Sequence, residues 1–222
     1  MSYHLEKPFR IPATARDFEG FRRWARSRKF PDRGRIDYVG GDLEVSMGPE
    51  ELQHGVVKME IGARLHLRIA RKGLGDIYFS RARMSSPAAE LSVEPDIVAV
   101  LYDSLDAGHI REILRRRGDP ESAIELEGAA DLVVEVISDG SVGKDRVRLP
   151  PQYAAAGVPE LWLVDVRRGL RFELHVLKAD GYRLLAPDAN GWLRSPLIGP
   201  VRLRRERKRP DRWSYRLDVG EG

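Results

Sequence analysis

The run LVVEVI, residues 132–137, sets a single carboxylate, Glu135, among aliphatic neighbours. A continuous β-branched run reads as a strand buried on both faces of a helix-covered sheet. An ionised carboxyl there loses its hydration, so it must take up a proton or face a cation, a metal or a donor. A second carboxylate, Asp96, stands 39 positions earlier, behind Pro95 and ahead of the apolar run IVAVL. Proline lacks the ladder donor and suits the first residue of a strand, which puts Asp96 near the end of a sheet, where sites open to solvent. If the two strands are neighbours, two carboxylates converge at one sheet end. Hard oxygen ligands of this kind suit Mg²⁺ or Mn²⁺, and Mg²⁺ is typically held by one or two carboxylates together with waters and substrate phosphates. Phosphodiester hydrolysis is the chemistry this pairing points to.

A Pro-Asp followed by a Glu inside an apolar strand is the skeleton of the PD-(D/E)XK nuclease superfamily. The continuation DRVRLPPQYAAAGVPELWLVD, with GGDLEVSMGPEELQHGVV upstream, resembles the Uma-two family of restriction-endonuclease-like proteins over about residues 35 to 178. The resemblance implies a restriction-endonuclease-like α/β fold, a mixed β-sheet flanked by helices. It implies Asp96 and Glu135 as metal ligands, a histidine, His54, heading a helix near the acidic site, DNA as partner and a homodimer. The superfamily's lysine, two residues after the second acid, falls on Ile137, and the family's own lysine, four residues before Tyr153, falls on Leu149. Lys144 and Arg148 are the cations nearby that would carry positive charge into the site. Arginine is effectively always protonated and cannot activate water as a lysine can.

The elements that must position these residues are legible in outline. After a polar lead over residues 1–13, Thr14 offers an N-cap, and Phe18, Phe21, Trp24 and Ala25 recur at helical spacing, an apolar face that reads as core packing. RIDYVGGDLEVSM alternates around Gly40-Gly41, the chemistry of a tight hairpin. Residues 51–71 space Leu52, Val56, Met59, Ala63, Leu67 and Ala70 three or four apart, which predicts a long amphipathic helix with that face inward, stopped by Gly73. Glu60 on this helix and Asp42 in the hairpin are further acidic candidates, set against the common case of an exposed carboxylate, and His54 is weighed against a surface histidine at a helix start. DIYFS, residues 76–80, reads as a strand. Residues 104–118 predict an amphipathic helix, with Arg115, Arg116 and Arg117 complementing its carboxyl-terminal dipole, a reading preferred to a phosphate contact, and the stretch to about Gly128 reads as loop. Ser138–Gly143 is a glycine-containing turn that offers backbone donors to phosphate, without the spacing of a P-loop. A helix through Tyr153 to Gly157 and the strand ELWLVDV complete a parallel crossover. RFELHVLK and YRLLAP form a closing hairpin in which His175 is a strand residue.

With 222 residues, 42% hydrophobic and 32% charged, the chain can bury one sizeable core. The expected division is an amino-terminal extension and helix over 1–34, a nuclease-like domain over 35–200, and a basic β extension over 201–222. No cysteine is present, which excludes disulfides and thiolate metal sites. No long apolar run or signal pattern argues for export or membrane insertion, so the expected location is the cytoplasm. Residues 202–212 carry seven Lys or Arg against Glu206 and Asp211, while the whole chain carries a net charge of +4, so the basicity is local. Arg204, Arg205, Arg207, Lys208 and Arg209 read either as an edge strand protected by its charges or as a nucleic-acid arm whose affinity falls with salt. Trp213 and Tyr215 either stack on bases or pack on the domain. The functional expectation is a metal-dependent endonuclease acting on DNA. The alternatives are a nuclease-fold protein that binds nucleic acid without cutting it, and a structural or interaction protein.

Overall fold

The computed structural model describes residues 10–48 and 51–220; the lead over residues 1–9 lies outside the described residues, as do 49–50 and 221–222. In chain order the elements are α1 (Phe18–Ala25), β1 (Arg35–Val39), β2 (Asp42–Ser46), α2 (Leu52–Arg68), β3 (Gly75–Phe79), β4 (Met84–Ser86), β5 (Leu91–Val93), β6 (Ile97–Leu101), α3 (Tyr102–Asp106), β7 (Ile110–Leu114) and β8 (Ala123–Gly128). There follow β9 (Leu132–Ile137), α4 (Leu149–Ala156), β10 (Glu160–Asp165), β11 (Arg171–Lys178), β12 (Gly181–Leu184), β13 (Leu193–Ser195), β14 (Gly199–Arg209) and β15 (Arg212–Val219).

The strands form two six-stranded sheets, β2-β1-β5-β4-β8-β7 and β12-β11-β10-β9-β6-β3, and a three-stranded sheet β13-β14-β15. β9 and β10 run parallel and β4 and β8 run parallel, while β6 and β11 are antiparallel to their neighbours. A parallel pair needs a crossover, and α4 supplies it between β9 and β10, ending at Gly157 in the left-handed region (φ 86°) that favours glycine. The molecule is mixed α/β, with mixed sheets flanked by helices.

β6, β9 and β10 are buried on both faces, as their continuous apolar runs require. One face packs Ile97, Leu132, Val134 and Trp162 against Val57, Ile61 and Leu65 of α2 and against Val201, Leu203, Tyr215 and Leu217 of the third sheet. The other packs Val98, Val133, Leu161 and Leu163 against Val39, Leu91 and Leu126 of the first sheet, together with Leu149 and Tyr153 of α4. Phe18, Phe21 and Trp24 of α1 close a third cluster over Ile36 and Tyr38, the core packing expected of that aromatic stripe. Each such aliphatic or aromatic side chain contributes about 1.5–3 kcal/mol by leaving water.

Four local expectations are corrected. Thr14 lies inside a short 3-10 turn, Ala13–Arg16, and the cap of α1 is Asp17, whose Oδ1 accepts from the Gly20 amide at 2.7 Å. Residues 104–118 hold only the end of the short α3, and Ile110–Leu114 pair with β8 in register from Ile110↔Gly128 to Leu114↔Ala123. Helical spacing of Ile110, Ile113 and Leu114 is outweighed by a strand partner far along the chain, and the stretch expected as loop is that partner. In α2 the inward face is Val57, Ile61 and Leu65, while Leu52 is 87% and Met59 69% exposed. Both stripes are apolar, and packing decides between them. Gly62 lies against the Phe79 ring so closely that a Cβ would sit 2.0 Å from Phe79 Cε1, which requires glycine there in this rotation of the helix. The same rotation turns His54 and Lys58 inward.

Candidate functional site

Antiparallel pairing of β6 with β9 matches Ile97 to Val134. One step further the same register sets Asp96 opposite Glu135. Asp96 Oδ2 accepts from the Val136 amide at 2.8 Å, and Oδ1 accepts from Arg35 Nη2 at 2.9 Å. From the first turns of α2, His54 Nε2 lies 3.4 Å from Asp96 Oδ2 and donates to the Val136 carbonyl, and Lys58 Nζ lies 3.6 Å from Asp96 Oδ1. Glu135 is held from the other side, where Tyr153 Oη of α4 donates to its Oε1 at 2.5 Å. Among the described residues its Oε2 has no hydrogen-bond partner, and neither has Asp145 Oδ1. Lys144, in the single π-helical turn Lys144–Arg148 that runs directly into α4, reaches Asp37 of β1 at 2.8 Å and lies 3.9 Å from Asp145. The other oxygen of Asp37 is fixed by the Glu94 amide at 3.0 Å.

Asp96 and Glu135 are each 1% exposed. They lie behind a cavity of about 270 Å³ lined by Arg35, Asp37, His54, Val136 and Lys144, with Ser138, Gly140 and Ser141 of the following turn along one side. The glycine-containing turn is therefore part of the cavity wall. The two carboxylates are driven apart electrostatically. Burial opposes ionisation of Asp96, but His54, Arg35 and Lys58 hold it below the usual carboxylate range. Burial, then the charges of Asp96 and Asp145, push Glu135 up to about 8, and burial pushes Asp145 up to about 6. Burial alone would lower Lys144, yet Asp37, Glu135 and Asp145 more than reverse this, so its ammonium stays charged.

Of the residues singled out in the sequence, Asp96, Glu135, Lys144 and His54 come together here. Arg148 is at the cavity rim, bound to Glu44 at 2.6 Å and half exposed, and Leu149 is wholly buried in the core. Glu60 faces elsewhere, tying Arg64 and the Leu217 amide of β15, and Asp42 is exposed at the start of β2. Arg204 pairs with Asp218, Lys208 with Glu206, and Arg209 is exposed near the β14–β15 turn. Arg205 and Arg207 lie over the Trp213 ring at 3.9 and 5.6 Å, while Tyr215 is core. Arg35, Asp37, Lys58, Asp145 and Tyr153 belong to the site without having been marked by their sequence surroundings as candidates. Only Asp37, isolated between apolar Ile36 and Tyr38 as Glu135 is within its own strand, carries a comparable signal.

Among the described residues no three His, Asp or Glu side chains are already gathered as a metal centre. What suits a divalent cation is narrower: a buried carboxylate oxygen without a partner, Glu135 Oε2, close to other carboxylates whose repulsion a cation would relieve.

The sequence profile of the Uma2 family, described as "Putative restriction endonuclease", matches residues 18–204. No curated protein matches the chain. The fold is similar to the crystal structure of "a putative nuclease belonging to DUF820" from Anabaena variabilis, with a TM-score of 0.52 at 17% identity over 72% of this chain and 81% of that one.

Proposed function

The chain belongs to the Uma2 family, and on that premise we propose that it is a metal-dependent nuclease hydrolysing phosphodiester bonds in DNA. The observation that carries this reading is the register that sets Asp96 opposite Glu135, with the charged Lys144 brought in beside them from the turn before α4. Asp96 and Glu135 are the residues to hold Mg²⁺ or Mn²⁺. Such an ion, when bound, supplies a water of lowered pKa and polarises the phosphoryl oxygen. The chain's own groups do the rest. Tyr153 fixes Glu135, Arg35 and the Val136 amide fix Asp96, and Asp37 holds the Lys144 ammonium. From that position Lys144 stabilises negative charge developing on the attacked phosphate, as a preorganised donor in a water-poor site does. The role that the superfamily pattern gives to position 137 or 149 thus passes to a lysine entering from a different backbone position.

The β14–β15 hairpin supports a nucleic-acid substrate. β15 follows α2, with Leu217 at Glu60 and Val219 at Arg68. Six strand residues from Leu217 to the tip span about 20 Å, whereas Glu60 is about 12 Å from the start of α2, so the tip projects past the helix end that carries His54. Arg207, Lys208 and Arg209 are assigned to phosphate contact there.

Cleavage of supercoiled and single-stranded DNA by identically purified wild type, Asp96→Ala and Glu135→Ala, with Mg²⁺ or Mn²⁺, tests the reading. Nicking by wild type alone is the expected result. DNA binding without products from any folded preparation would contradict it and leave a nuclease fold that only binds.

A further inference from the structure

Arg115, Arg116 and Arg117 follow β7 and have no helix to complement. Two of them, Arg115 and Arg116, join Arg26 and Arg28 from the carboxyl end of α1 around a surface cavity of about 550 Å³, whose wall also carries one carboxylate, Glu121. The turn that carries them is tightly built. Ser122 accepts the Arg115 amide through its carbonyl at 2.9 Å and the Arg116 amide through its hydroxyl at 2.9 Å, and that hydroxyl donates to Asp119 O at 2.7 Å. Arg26 is anchored to Glu125 at 3.4 Å and Arg116 to Asp119 at 2.6 Å. Arg28 and Arg115 have no acidic partner among the described residues. Arg115, exposed on that rigid turn, and Arg28, exposed beyond the end of α1, thus bring two unneutralised cations to one cavity, and a polyanion relieves the repulsion between them.

The register of the first sheet places this cluster relative to the cavity. Tyr38 pairs with Ser92, Ser92 with Ser85, and Ser85 with Glu127. Arg35 and Ile124, each three residues before its member of that row, therefore lie at the same end of the sheet. β1 and β7 are four strands apart, about 19 Å at the usual strand spacing, or about six base pairs along a duplex. The connection from α1 to β1, with Arg26, Arg28 and Lys29, runs along the same end toward Arg35.

We infer that the arginine cluster formed by Arg26, Arg28, Arg115 and Arg116 is a second nucleic-acid contact, gripping the phosphate backbone about six base pairs from the phosphate held at the Asp96–Glu135 cavity. The inference rests on the nuclease reading for the choice of polyanion. Its chemistry is the gripping of phosphate oxygens by guanidinium forks, which fixes orientation on the strand and carries no sequence preference.

The test measures binding of labelled duplex DNA, without divalent cation, to wild type and to Arg28→Ala/Arg115→Ala/Arg116→Ala across a salt series. For a duplex of about 30 base pairs the triple variant is expected to bind about 10–100-fold more weakly, with a salt slope shallower by about 0.9 for each phosphate it no longer neutralises. For a duplex of about eight base pairs, too short to bridge cavity and cluster together, wild type and variant are expected to differ far less. Arg115→Ala alone, at an exposed and unpaired position, gives the same direction in smaller measure and guards against misfolding, with thermal melts as the check. Equal affinity and slope for wild type and triple variant on the long duplex would overturn the inference, as would wild type that does not bind it. Competition by polyglutamate as effective as that by DNA would overturn it in favour of an acidic protein partner. The cleavage test is separate: a protein that cuts nothing but grips long duplex through these arginines contradicts the nuclease reading and upholds this one.

Discussion

Glu135 and Tyr153 show how much a single buried hydrogen bond carries. Both side chains are buried, and the 2.5 Å hydrogen bond between them is the only one that Glu135 makes through its side chain among the described residues. Tyr153→Phe keeps the ring in the core and removes only that donor, leaving a second carboxyl oxygen unsatisfied. The expected cost is about 1–2 kcal/mol in a denaturant titration at neutral pH, the scale of a buried acceptor losing its partner. An unchanged midpoint would mean that Glu135 is satisfied some other way. At this scale the two carboxylates are legible in the sequence, because a lone acid in an apolar strand has no inexpensive structural explanation. Their supporting cations are not: Arg35 and Lys58 reach Asp96 across 61 and 38 positions of chain, and nothing local to either residue marks it.

Between elements, the end of β10 is tied to its surroundings by ion pairs. Asp165 accepts from Arg167 at 2.8 Å and from Arg146, in the turn before α4, at 3.4 Å, and Arg146 also reaches Glu173 of β11 at 3.1 Å. Hydrogen bonding by Arg167 lowers Asp165 to about 2 despite partial burial. A depressed folded-state value contributes stability that is fully present above the unfolded value of about 3.9 and is lost as pH falls through about 2. Asp165→Asn is therefore expected to lose about 1–2 kcal/mol at neutral pH, after allowance for solvent screening, and almost nothing once the wild-type carboxyl is protonated. Melting of both proteins across the acidic range checks this, and a difference that does not shrink with acid would refute it. Element types are readable where sequence and packing agree, as in β1, β2, β6, β9, α4 and β10. They are not at β7, where apolar spacing fits a helix turn and the deciding partner, β8, lies beyond an intervening turn. The rotation of α2 is similarly hidden, since the helix is apolar on two sides and tertiary packing of Val57, Ile61 and Leu65, with Gly62 close against Phe79, selects one.

Across the whole molecule, three separate pieces of chain meet at the proposed site: Asp96 entering β6, Glu135 within β9, and Lys144 from the turn before α4, backed by Asp37 of the first sheet. No described helix is long and apolar enough to cross a membrane. The resembled pattern points to Asp96 and Glu135 as the proposed metal ligands, but its lysine positions hold Ile137 and Leu149, both buried in the core. The cation proposed here, Lys144, is found only in space. The most direct measurement is therefore metal-dependent DNA cleavage by Lys144→Ala beside Arg148→Ala, both verified as folded. Loss of a preorganised donor to the developing charge predicts about a 100-fold or greater fall in rate for Lys144→Ala, with Arg148→Ala, at the rim and paired to Glu44, within a few-fold of wild type. Full activity in Lys144→Ala, or the larger loss in Arg148→Ala, would contradict the assignment of Lys144 as the cation that completes the site.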